Sequence, residues 1–560
     1  MADETGSGTG IEQDRQRILE AQAKGTGATL AVYAKLSGPG WLQSAITLGG
    51  GSLAGSLYLG VLGGAALLWL QPIAMILGII MLSAIAYVTL STGERPFQAI
   101  NRHVNPVLGW AWLIATMMAN IVWAMPQFSL STAAVQQNLL PDLPMSDITQ
   151  KVIIAGTILG ICSFIVWFYN SGSKGIRFVE IILKVMVGCI VLSFMGVVIK
   201  MTLTGSIQWR EILSGFVPDL KLLVAPAATF EPFFEGATEE FRQYWSSLIV
   251  SQQRDVMITA AATAVGINMT FLLPYSMLRK GWGREFRGLA IFDLSTGLFV
   301  PFVVATSCVV IAAATQFHTQ PGRGLLDEGG APSATVQAKY DTIAKARATA
   351  IEGNTGEAIA IEDLSDADKR MAAMLIERDA FELAQSLSPL TGDAFANYVF
   401  GFGVLGMGIS TIIILMLING FVVCEMFNTP SSGLVHRLGS LIPAIGILGP
   451  FFWKRAAFWL AVPTSVFGMA LLPIAYFTFY FLINQRSLLG DDRPRGAKGL
   501  AWNLAMLVAA SLAAFGSVWS IWSKGSWWPK VGLPEWTGIG LLVAFLAVVL
   551  VVQVTRKRPV

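Results

Sequence analysis

Two short breaks in apolar segments are the places where this chain could do chemistry. The first, Gly49–Ser52, reads Gly-Gly-Gly-Ser within the apolar run 38–60. Each glycine costs about 1 kcal/mol in a helix interior relative to alanine, so three in a row predict an unwound segment. Unwound backbone at membrane depth persists only where it is buried in protein or lines a cavity, and its free N–H and C=O groups can then bind a solute. The alternative is close packing of helices through small residues.

The second break lies in the apolar run 256–278. Asn268 and Thr270 are polar residues in a hydrophobic context, and Pro274 removes a backbone donor. A proline kink, with Asn268 bonded to a neighbouring helix, is the alternative interpretation. Broken helices at corresponding places in two halves of a chain mark the binding sites of transporters. The predicted substrate-binding residues are therefore Gly49, Gly50, Gly51, Ser52, Asn268, Met269, Thr270 and Phe271.

The composition requires that these breaks be positioned by a bundle of membrane helices. Of 560 residues, 54% are hydrophobic and only 13% are charged, with a mean hydropathy of +0.61. A soluble domain carries roughly 25% charged residues, so lipid must cover most of the surface. A span needs about 20 mostly apolar residues. Twelve runs qualify, near residues 38–60, 64–90, 108–135, 152–169, 178–200, 256–278, 292–315, 397–423, 438–452, 456–484, 499–522 and 537–553.

The runs divide the chain into an expected order of parts. These are a cytoplasmic N-terminal segment 1–36, spans one to five in 37–200, an extramembrane or interfacial connection 201–255, spans six and seven in 256–317, a soluble helical insertion 318–395, spans eight to ten in 396–484, and spans eleven and twelve with the tail in 485–560. Within the insertion, 335–351 and 367–387 are predicted helices. The segment 1–36 has no apolar core of a signal peptide.

The distribution of basic residues predicts a plasma (inner) membrane protein with both termini in the cytoplasm. One side collects Arg95, Arg102, Lys174, Arg177, Arg279, Lys280, Arg284, Arg287, Arg486, Arg493, Arg495, Lys498, Arg556, Lys557 and Arg558. Lys454 and Arg455 are the exception. The insertion 318–395 then lies outside, where it could bind a partner. A net charge of +3 gives no reason to expect nucleic acid.

The chain shows no sign of enzymatic chemistry. It has no phosphate-binding loop, no dinucleotide fingerprint and no pairing of a nucleophile with a base, so we expect neither catalytic residues nor a cofactor. The four cysteines lie in or beside apolar runs, which is typical of buried apolar residues rather than disulfides or metal ligands. Ionisable residues are scarce in the spans. Glu180 and Lys184 stand four apart, a spacing that predicts an ion pair.

Several motifs, taken in order, resemble the natural resistance-associated macrophage protein (NRAMP) family of divalent-metal transporters from about Leu36 to Trp522. The matching motifs are Gly38-Pro39-Gly40, Ser91-Thr92-Gly93, Gly175–Glu180, Arg284-Glu285 with Asp293, Ser410-Thr411, and Asn484–Gly490. The resemblance implies an all-α membrane protein with the leucine-transporter-like (LeuT) fold. In that fold spans 1–5 and 6–10 form an inverted repeat, two further helices follow, and the site lies between broken spans one and six.

The residues that the family uses for metal and protons are replaced in this chain. By the resemblance, the metal-binding aspartate and asparagine of span one fall on Gly49 and Ser52. The family's Met-Pro-His of span six falls on Thr270–Leu272, although a one-residue slip would keep Met269 as the methionine. No slip restores the histidine. The acidic residues of span three fall near Pro126 and Ser129, and the glutamine of span ten falls near Val466. We therefore expect no metal at the usual family site.

Three functions are consistent with these substitutions. The first is an NRAMP-related secondary transporter with an altered site, unsuited to dehydrated Mn²⁺ or Fe²⁺, which carries a small polar or zwitterionic organic solute on the amides of a helix N-terminus. The second is a transporter of a divalent cation such as hydrated Mg²⁺, held by carbonyls of Gly49–Gly51 with Ser52, Asn268 and Thr270. The third is a sensor or scaffold that does not transport and binds a partner through 318–395.

Overall fold

The computed structural model describes residues 4–141, 143–169, 171–326, 331–356, 358–392, 395–452 and 461–556. Regular structure in these ranges is helical. Twelve helical segments of the described chain are long and apolar enough to cross a membrane by length and composition. The protein is thus a multi-pass membrane protein of about twelve spans. The predicted basic residues Lys454, Arg455, Lys557 and Arg558 lie outside the described ranges.

The first half of the chain contains two N-terminal helices, a broken span and four continuous spans. Its helices are α1 (Glu4–Lys24), α2 (Thr26–Leu36), α3 (Pro39–Thr47), α4 (Gly50–Gly63), α5 (Leu70–Thr92), α6 (Pro96–His103), α7 (Pro106–Ala134), α8 (Asp147–Tyr169) and α9 (Ser173–Leu203). Helices α3 and α4 are the two halves of the first span. Only Leu48 and Gly49 separate them.

A second broken span follows the long connection. The helices of this region are α10 (Trp209–Ser214), α11 (Glu231–Phe234), α12 (Glu239–Ala264), α13 (Ile267–Arg279), α14 (Arg287–Asp293) and α15 (Phe299–Phe317). Val265 and Gly266 separate α12 from α13. Helix α12 begins well before residue 256, where the apolar run begins, because the Thr238 side chain caps its N-terminus and its first turns are polar.

The described part of the insertion contains three α-helices, α16 (Ala334–Thr355), α17 (Asp366–Met374) and α18 (Ala380–Thr391). The segment predicted as a single helix over 367–387 is two helices. Asp379 and Glu382 form a capping box, in which each side chain accepts a bond from the other residue's backbone N–H, and this box starts α18 as a new helix.

The remaining spans complete the membrane domain. Its helices are α19 (Phe400–Met426), α20 (Gly433–Ser440), α21 (Gly449–Phe452), α22 (Ala461–Ile483), α23 (Arg486–Leu489), α24 (Gly496–Ser523) and α25 (Thr537–Thr555). The ninth span is irregular, since a 3₁₀ segment over Ile442–Leu448 joins α20 to α21. Helix α19 lies at the centre of the bundle, because 94% of its apolar 18-residue stretch is buried within the protein. None of the corresponding stretch of α25 is buried. The apolar face of α25 is available to lipid.

The Gly38-Pro39-Gly40 motif lies where α3 is anchored to span seven. The Asp293 carboxylate accepts bonds from the backbone N–H of Gly38 (3.1 Å) and Gly40 (2.6 Å), and from the Ser37 hydroxyl. A side chain at Gly40 would overlap the Asp293 backbone. Asp293 thereby caps α3, because it satisfies N–H groups that have no partner within the helix.

The ion pair predicted between Glu180 and Lys184 is wrong. Lys280 pairs with Glu180 at 3.0 Å, and the Lys184 ammonium donates instead to the Ser37 carbonyl at 2.7 Å. The four-residue spacing favours a pair only where no tertiary partner competes. Here the loop after α13 brings Lys280 to Glu180, which leaves Lys184 to bind Ser37, two residues before the start of α3.

Candidate functional site

The first break is short, and its geometry is set by glycine. Gly49 is extended (φ −111°, ψ −177°), and Gly50 already begins α4. The predicted unwound stretch of three glycines is thus reduced to Leu48 and Gly49. The Ser52 hydroxyl donates to the Thr47 carbonyl across the break. The Gly50 N–H, which has no partner within the helix, donates to Oε1 of Gln127 at 2.9 Å.

The second break lies opposite the first. Val265 and Gly266 are extended, and the N–H of Met269 donates to the Gly266 carbonyl at 3.1 Å. The Thr47 hydroxyl donates to the sulfur of Met269 at 3.1 Å, so the two breaks are in direct contact. A side chain at Gly266 would overlap the Trp123 ring, which explains the glycine at this position.

A cavity of about 40 Å³ lies between the two breaks. We call it the central cavity. Its lining residues come from spans one, three, six, eight and ten: Ile46, Thr47, Gly49, Gly51, Ser52, Trp123, Gln127, Ala262, Thr263, Gly266, Asn268, Met269, Thr411, Thr464 and Ser465. All of these side chains are neutral. Within the described residues, no group of three His, Cys, Asp or Glu side chains could hold a metal ion.

The structure brings five of the eight predicted residues to the central cavity, namely Gly49, Gly51, Ser52, Asn268 and Met269. The other three, Gly50, Thr270 and Phe271, do not line it. Thr270 accepts a bond from the Trp112 indole at 2.9 Å, and the Phe271 ring packs against Trp112 with centroids 4.6 Å apart. Met269 lines the cavity and Thr270 does not. This favours the alignment shifted by one residue, in which Met269 corresponds to the methionine of the family's Met-Pro-His motif.

A chain of three buried asparagines orients the side chain of Asn268. Its amide donates to Oδ1 of Asn120 at 3.1 Å, and the Asn120 amide donates to Oδ1 of Asn419 at 2.7 Å. All three residues are completely buried. The Oδ1 atom of Asn268 accepts no hydrogen bond from the described residues. A buried, oriented carbonyl oxygen without a donor is unusual in a folded protein and is the form in which a ligand group would be held.

Thr411 of α19 occupies the space that a side chain at position 49 would need. A Cβ added to Gly49 would approach Oγ1 of Thr411 more closely than real Cβ contacts do and would lie 3.1 Å from the Ile46 carbonyl. The Thr411 hydroxyl is itself held by a bond to the Met407 carbonyl at 2.8 Å. Gly49 and Thr411 are therefore sterically matched.

Sequence reasoning missed the residues that spans three, eight and ten contribute. Trp123, Gln127, Thr464 and Ser465 are isolated polar or aromatic residues in apolar runs, and no local pattern shows which way they face. Gln127 carried a detectable signal, since an amide deep within an apolar span is costly unless it is bonded. The Ser410-Thr411 pair was identified only as part of a resemblance.

Comparison with known proteins adds a family match over most of the chain. The family model described as natural resistance-associated macrophage protein-like matches residues 40–346 and 368–522. The divalent metal cation transporter MntH 1 of Pseudomonas aeruginosa is 33% identical over 141 residues, which are 24% of this chain and 31% of that protein. The match therefore spans about a third of the curated relative's length.

Solved structures share the fold at low sequence identity. A crystal structure of a mutant manganese transporter from Eremococcus coleocola has a TM-score of 0.64 at 14% identity and covers 94% of this chain and 95% of that one. The same transporter in complex with an aromatic bis-isothiourea substituted compound has a TM-score of 0.60 at 16% identity, with 94% of each chain covered. At these identities the likeness shows the fold, which is the predicted leucine-transporter-like architecture.

Proposed function

Because this chain belongs to the natural resistance-associated macrophage protein-like family of membrane transporters, we propose that it carries a divalent metal cation across the membrane. The ion would bind in the central cavity while it keeps part of its water shell. This is the second of the three functions considered from the sequence. The organic solute preferred there is not supported by the family match, and the size of the cavity argues against it.

The observation that carries the proposal is the Oδ1 atom of Asn268. This atom is completely buried and accepts no hydrogen bond from the described residues, and Asn268 is one of the residues that line the central cavity. An amide carbonyl is a ligand that hard divalent cations accept. Ser52, Thr411 and Met269 line the same cavity, and because the two hydroxyls donate their protons to backbone carbonyls, their oxygen lone pairs are the groups that a cation could use. A thioether among oxygen donors favours a somewhat softer ion such as Mn²⁺.

The cavity volume separates an ion from an organic solute. A cavity needs about 10–15 Å³ to hold one buried water, so the 40 Å³ of the central cavity hold about three water-sized groups. That is enough for a cation with one or two waters. Even glycine, the smallest amino acid, has five heavy atoms. A zwitterion would also compete for the Gly50 N–H, which Gln127 already occupies.

The missing carboxylates change how the ion's charge is balanced. An unpaired divalent ion pays a large desolvation cost in a neutral site, which retained waters and dipoles reduce. The C-terminal ends of α3 and α12 lie at the cavity together with the N-terminal ends of α4 and α13, whose partial charge is positive. The free carbonyls of α3 and α12 carry the partial negative charge, so they are the backbone groups that can contact the cation. No titratable side chain lines the cavity among the described residues, so we infer transport that moves net positive charge without a proton at this site.

Uptake into proteoliposomes that contain the purified full-length chain tests the proposal, with MgCl2 and MnCl2 as substrates. Asn268→Asp places a carboxylate at the ligand position and should lower the KM for uptake on the order of tenfold. Asn268→Leu should abolish uptake. Asn503→Asp is the matched control, because this amide on α24 bonds to Asn484 and does not line the cavity.

The outcomes distinguish the three functions. Saturable uptake of either ion with the expected order of variants supports the proposal. If the wild-type chain takes up neither ion, a cation substrate is refuted. Stabilisation by small amino acids in thermal unfolding would then favour an organic solute, whereas loss of partner capture on deleting 318–395 would favour a scaffold.

We also propose that both termini and the basic loops face the cytoplasm of the plasma (inner) membrane. Arg15 of α1 pairs with Glu285, Arg284 pairs with Asp492, and Arg556 donates to the Arg102 carbonyl, so both ends of the described chain lie with the basic loops. The insertion then lies outside. An impermeant maleimide should label Glu352→Cys in intact cells, and labelling only after permeabilisation would reverse the orientation.

A further inference from the structure

The insertion is bonded to the outer half of span six through a buried arginine. Arg347 of α16 is 2% exposed. Its guanidinium makes a bidentate pair with Glu240 of α12 (2.6 and 2.9 Å) and a third bond to Asp368 of α17 (2.7 Å). The Trp245 indole of α12 donates to the same Asp368 at 2.9 Å. The insertion is therefore fixed to α12 by charge-assisted bonds, which are stronger than neutral ones.

The insertion is also bonded to the outer half of span one. The Tyr58 hydroxyl of α4 donates to the Arg378 carbonyl at 2.5 Å. The Arg378 guanidinium lies over the Phe317 ring, 4.9 Å from its centroid, and donates to the Gln320 carbonyl at 2.7 Å. The insertion thus covers the outer ends of the two broken spans that form the central cavity.

A second cavity of about 290 Å³ lies where the insertion meets these helices. We call it the outer cavity. Its polar lining residues are Tyr58, Gln252, Thr335, Lys339, Thr342 and Glu377. Along α4, Tyr58 lies about 9 Å beyond Ser52 at 1.5 Å per residue. Between the two cavities α4 packs closely on α12, since a Cβ at Gly55 would lie 3.1 Å from Cγ2 of Thr259. The outer cavity therefore lies on the insertion side of the central cavity, along the same two helices.

The Glu377 carboxylate is the feature of the outer cavity that has no partner. Among the described residues it makes no hydrogen bond or ion pair, and the residue is partly buried. Lys339, the cation in the lining, pairs instead with Glu382 at 2.7 Å and Asp379 at 3.6 Å. The charged cluster beside the outer cavity consists of the carboxylates of Glu377, Asp379 and Glu382 and the cations of Lys339 and Arg378. Three negative and two positive groups give it a net negative charge. At about 10–15 Å³ per water, the volume admits on the order of twenty waters, enough for an ion with a complete first shell.

We propose that the outer cavity binds a hydrated divalent cation before it enters the central cavity, with Glu377 as the anionic group and Gln252 and Thr342 as hydrogen-bonding partners of its waters. This inference rests on the proposed cation transport. It assigns the insertion a role in capturing the ion. The central cavity is small and lined by neutral side chains, whereas the outer one is large and adjoins a charged cluster with a net negative charge, so the ion loses most of its water between the two.

Protons should compete with the cation at Glu377. Burial raises the pKa of this carboxyl, the nearby Lys339 ammonium lowers it, and the Glu382 carboxylate raises it further. Asp379 and Arg378 are the other charged groups of the cluster, and Tyr58 faces it from α4. A raised pKa means that the carboxyl becomes protonated at a higher pH than an exposed glutamate. The affinity for the cation should therefore fall as the external pH decreases through that raised pKa.

The test is the kinetics of Mg²⁺ and Mn²⁺ uptake by Glu377→Gln in proteoliposomes. Loss of one outer-sphere carboxylate should raise the KM on the order of three- to tenfold and leave the maximal rate within about twofold. The wild-type KM should rise at low external pH, and the variant should lose this dependence. Glu377→Asp should restore much of the affinity. Glu352→Gln, an exposed acid on α16 outside the cavity, is the matched control.

The number of bound ions gives a second readout that does not depend on transport. Titration with MnCl2, followed by the electron paramagnetic resonance signal of free Mn²⁺, should give two sites per chain in the wild type, and in Glu377→Gln one of the two should bind on the order of three- to tenfold more weakly. An unchanged KM, an unchanged pH dependence or a single site in the wild type would overturn the outer site. If uptake by the wild type is normal in that case, the proposed transport stands. Absence of uptake by the wild type would instead refute the proposed transport.

Discussion

Replacing Gly49 by alanine should destabilise the protein because Thr411 already fills the space. The new Cβ would overlap Oγ1 of Thr411 and lie 3.1 Å from the Ile46 carbonyl. Thr411 cannot simply rotate away, because its hydroxyl donates to the Met407 carbonyl and it is only 3% exposed. Overpacking a well-packed site costs typically about 1–3 kcal/mol. We expect Gly49→Ala to lie in that range.

A second substitution, Thr411→Ala, should relieve the destabilisation caused by Gly49→Ala. Thr411→Ala removes Oγ1 and leaves Cβ of residue 411, which lies 3.3 Å from the new methyl and can be accommodated by a small shift. Alone, Thr411→Ala should cost about 1 kcal/mol for the lost hydrogen bond. In combination, the pair should recover about 1–2 kcal/mol relative to the sum of the single effects.

Thermal unfolding of the purified protein in detergent, followed by tryptophan fluorescence, measures all three variants. Gly188→Ala is the control, since a Cβ at Gly188 of α9 meets nothing within 4 Å and the change should be neutral or stabilising. The steric account is refuted if Gly49→Ala unfolds at the same temperature as Gly188→Ala. It is also refuted if Thr411→Ala adds to the defect instead of relieving it.

Three further variants test separate contacts. Met269→Leu removes the thioether and should lower Mn²⁺ uptake relative to Mg²⁺ on the order of several-fold in a competition assay; an unchanged ratio would remove sulfur from the ligand set. Arg347→Met leaves the buried Asp368 carboxylate without its cation and should lower the stability of the insertion by about 3–5 kcal/mol, measured as faster proteolysis. Glu240→Gln should lower it less, because Glu240 is half exposed. Equal rates of proteolysis in the two variants would contradict this difference. Gln127→Ala frees the Gly50 N–H and should lower the unfolding midpoint by an amount equivalent to about 1 kcal/mol; no change would show that the bond contributes nothing.

Much of the fold follows from the sequence because the membrane imposes a simple rule. Each span must be long and apolar, so twelve apolar runs predict about twelve spans, and the described residues contain twelve helical segments of that kind. The inverted-repeat architecture was predicted from the resemblance to the family, because hydropathy alone does not show how the spans are arranged. Boundaries were less predictable. The polar first turns of α12 extend beyond the apolar run, and the Asp379 cap divides a helical pattern that looks continuous.

The site was predictable only where chemistry is local. Three consecutive glycines and a polar residue in an apolar run mark Gly49–Ser52 and Asn268 from the sequence alone. The partners Gln127, Thr411 and Asn120 come from other spans, and their contributions depend on packing that no local pattern encodes. From the sequence, the lack of a carboxylate at position 49 favoured an organic solute over a cation. The neutral oxygens that distant spans bring to the cavity are potential cation ligands, but the sequence does not show that they lie there.

A divalent cation bound between the two broken spans can be located by anomalous scattering from crystals of the protein soaked in MnCl2, because the signal of Mn²⁺ is independent of the protein density. We expect a peak in the central cavity within about 2.5 Å of Oδ1 of Asn268, beside the sulfur of Met269. A peak confined to other parts of the molecule, or density for an organic molecule in that cavity, would contradict it.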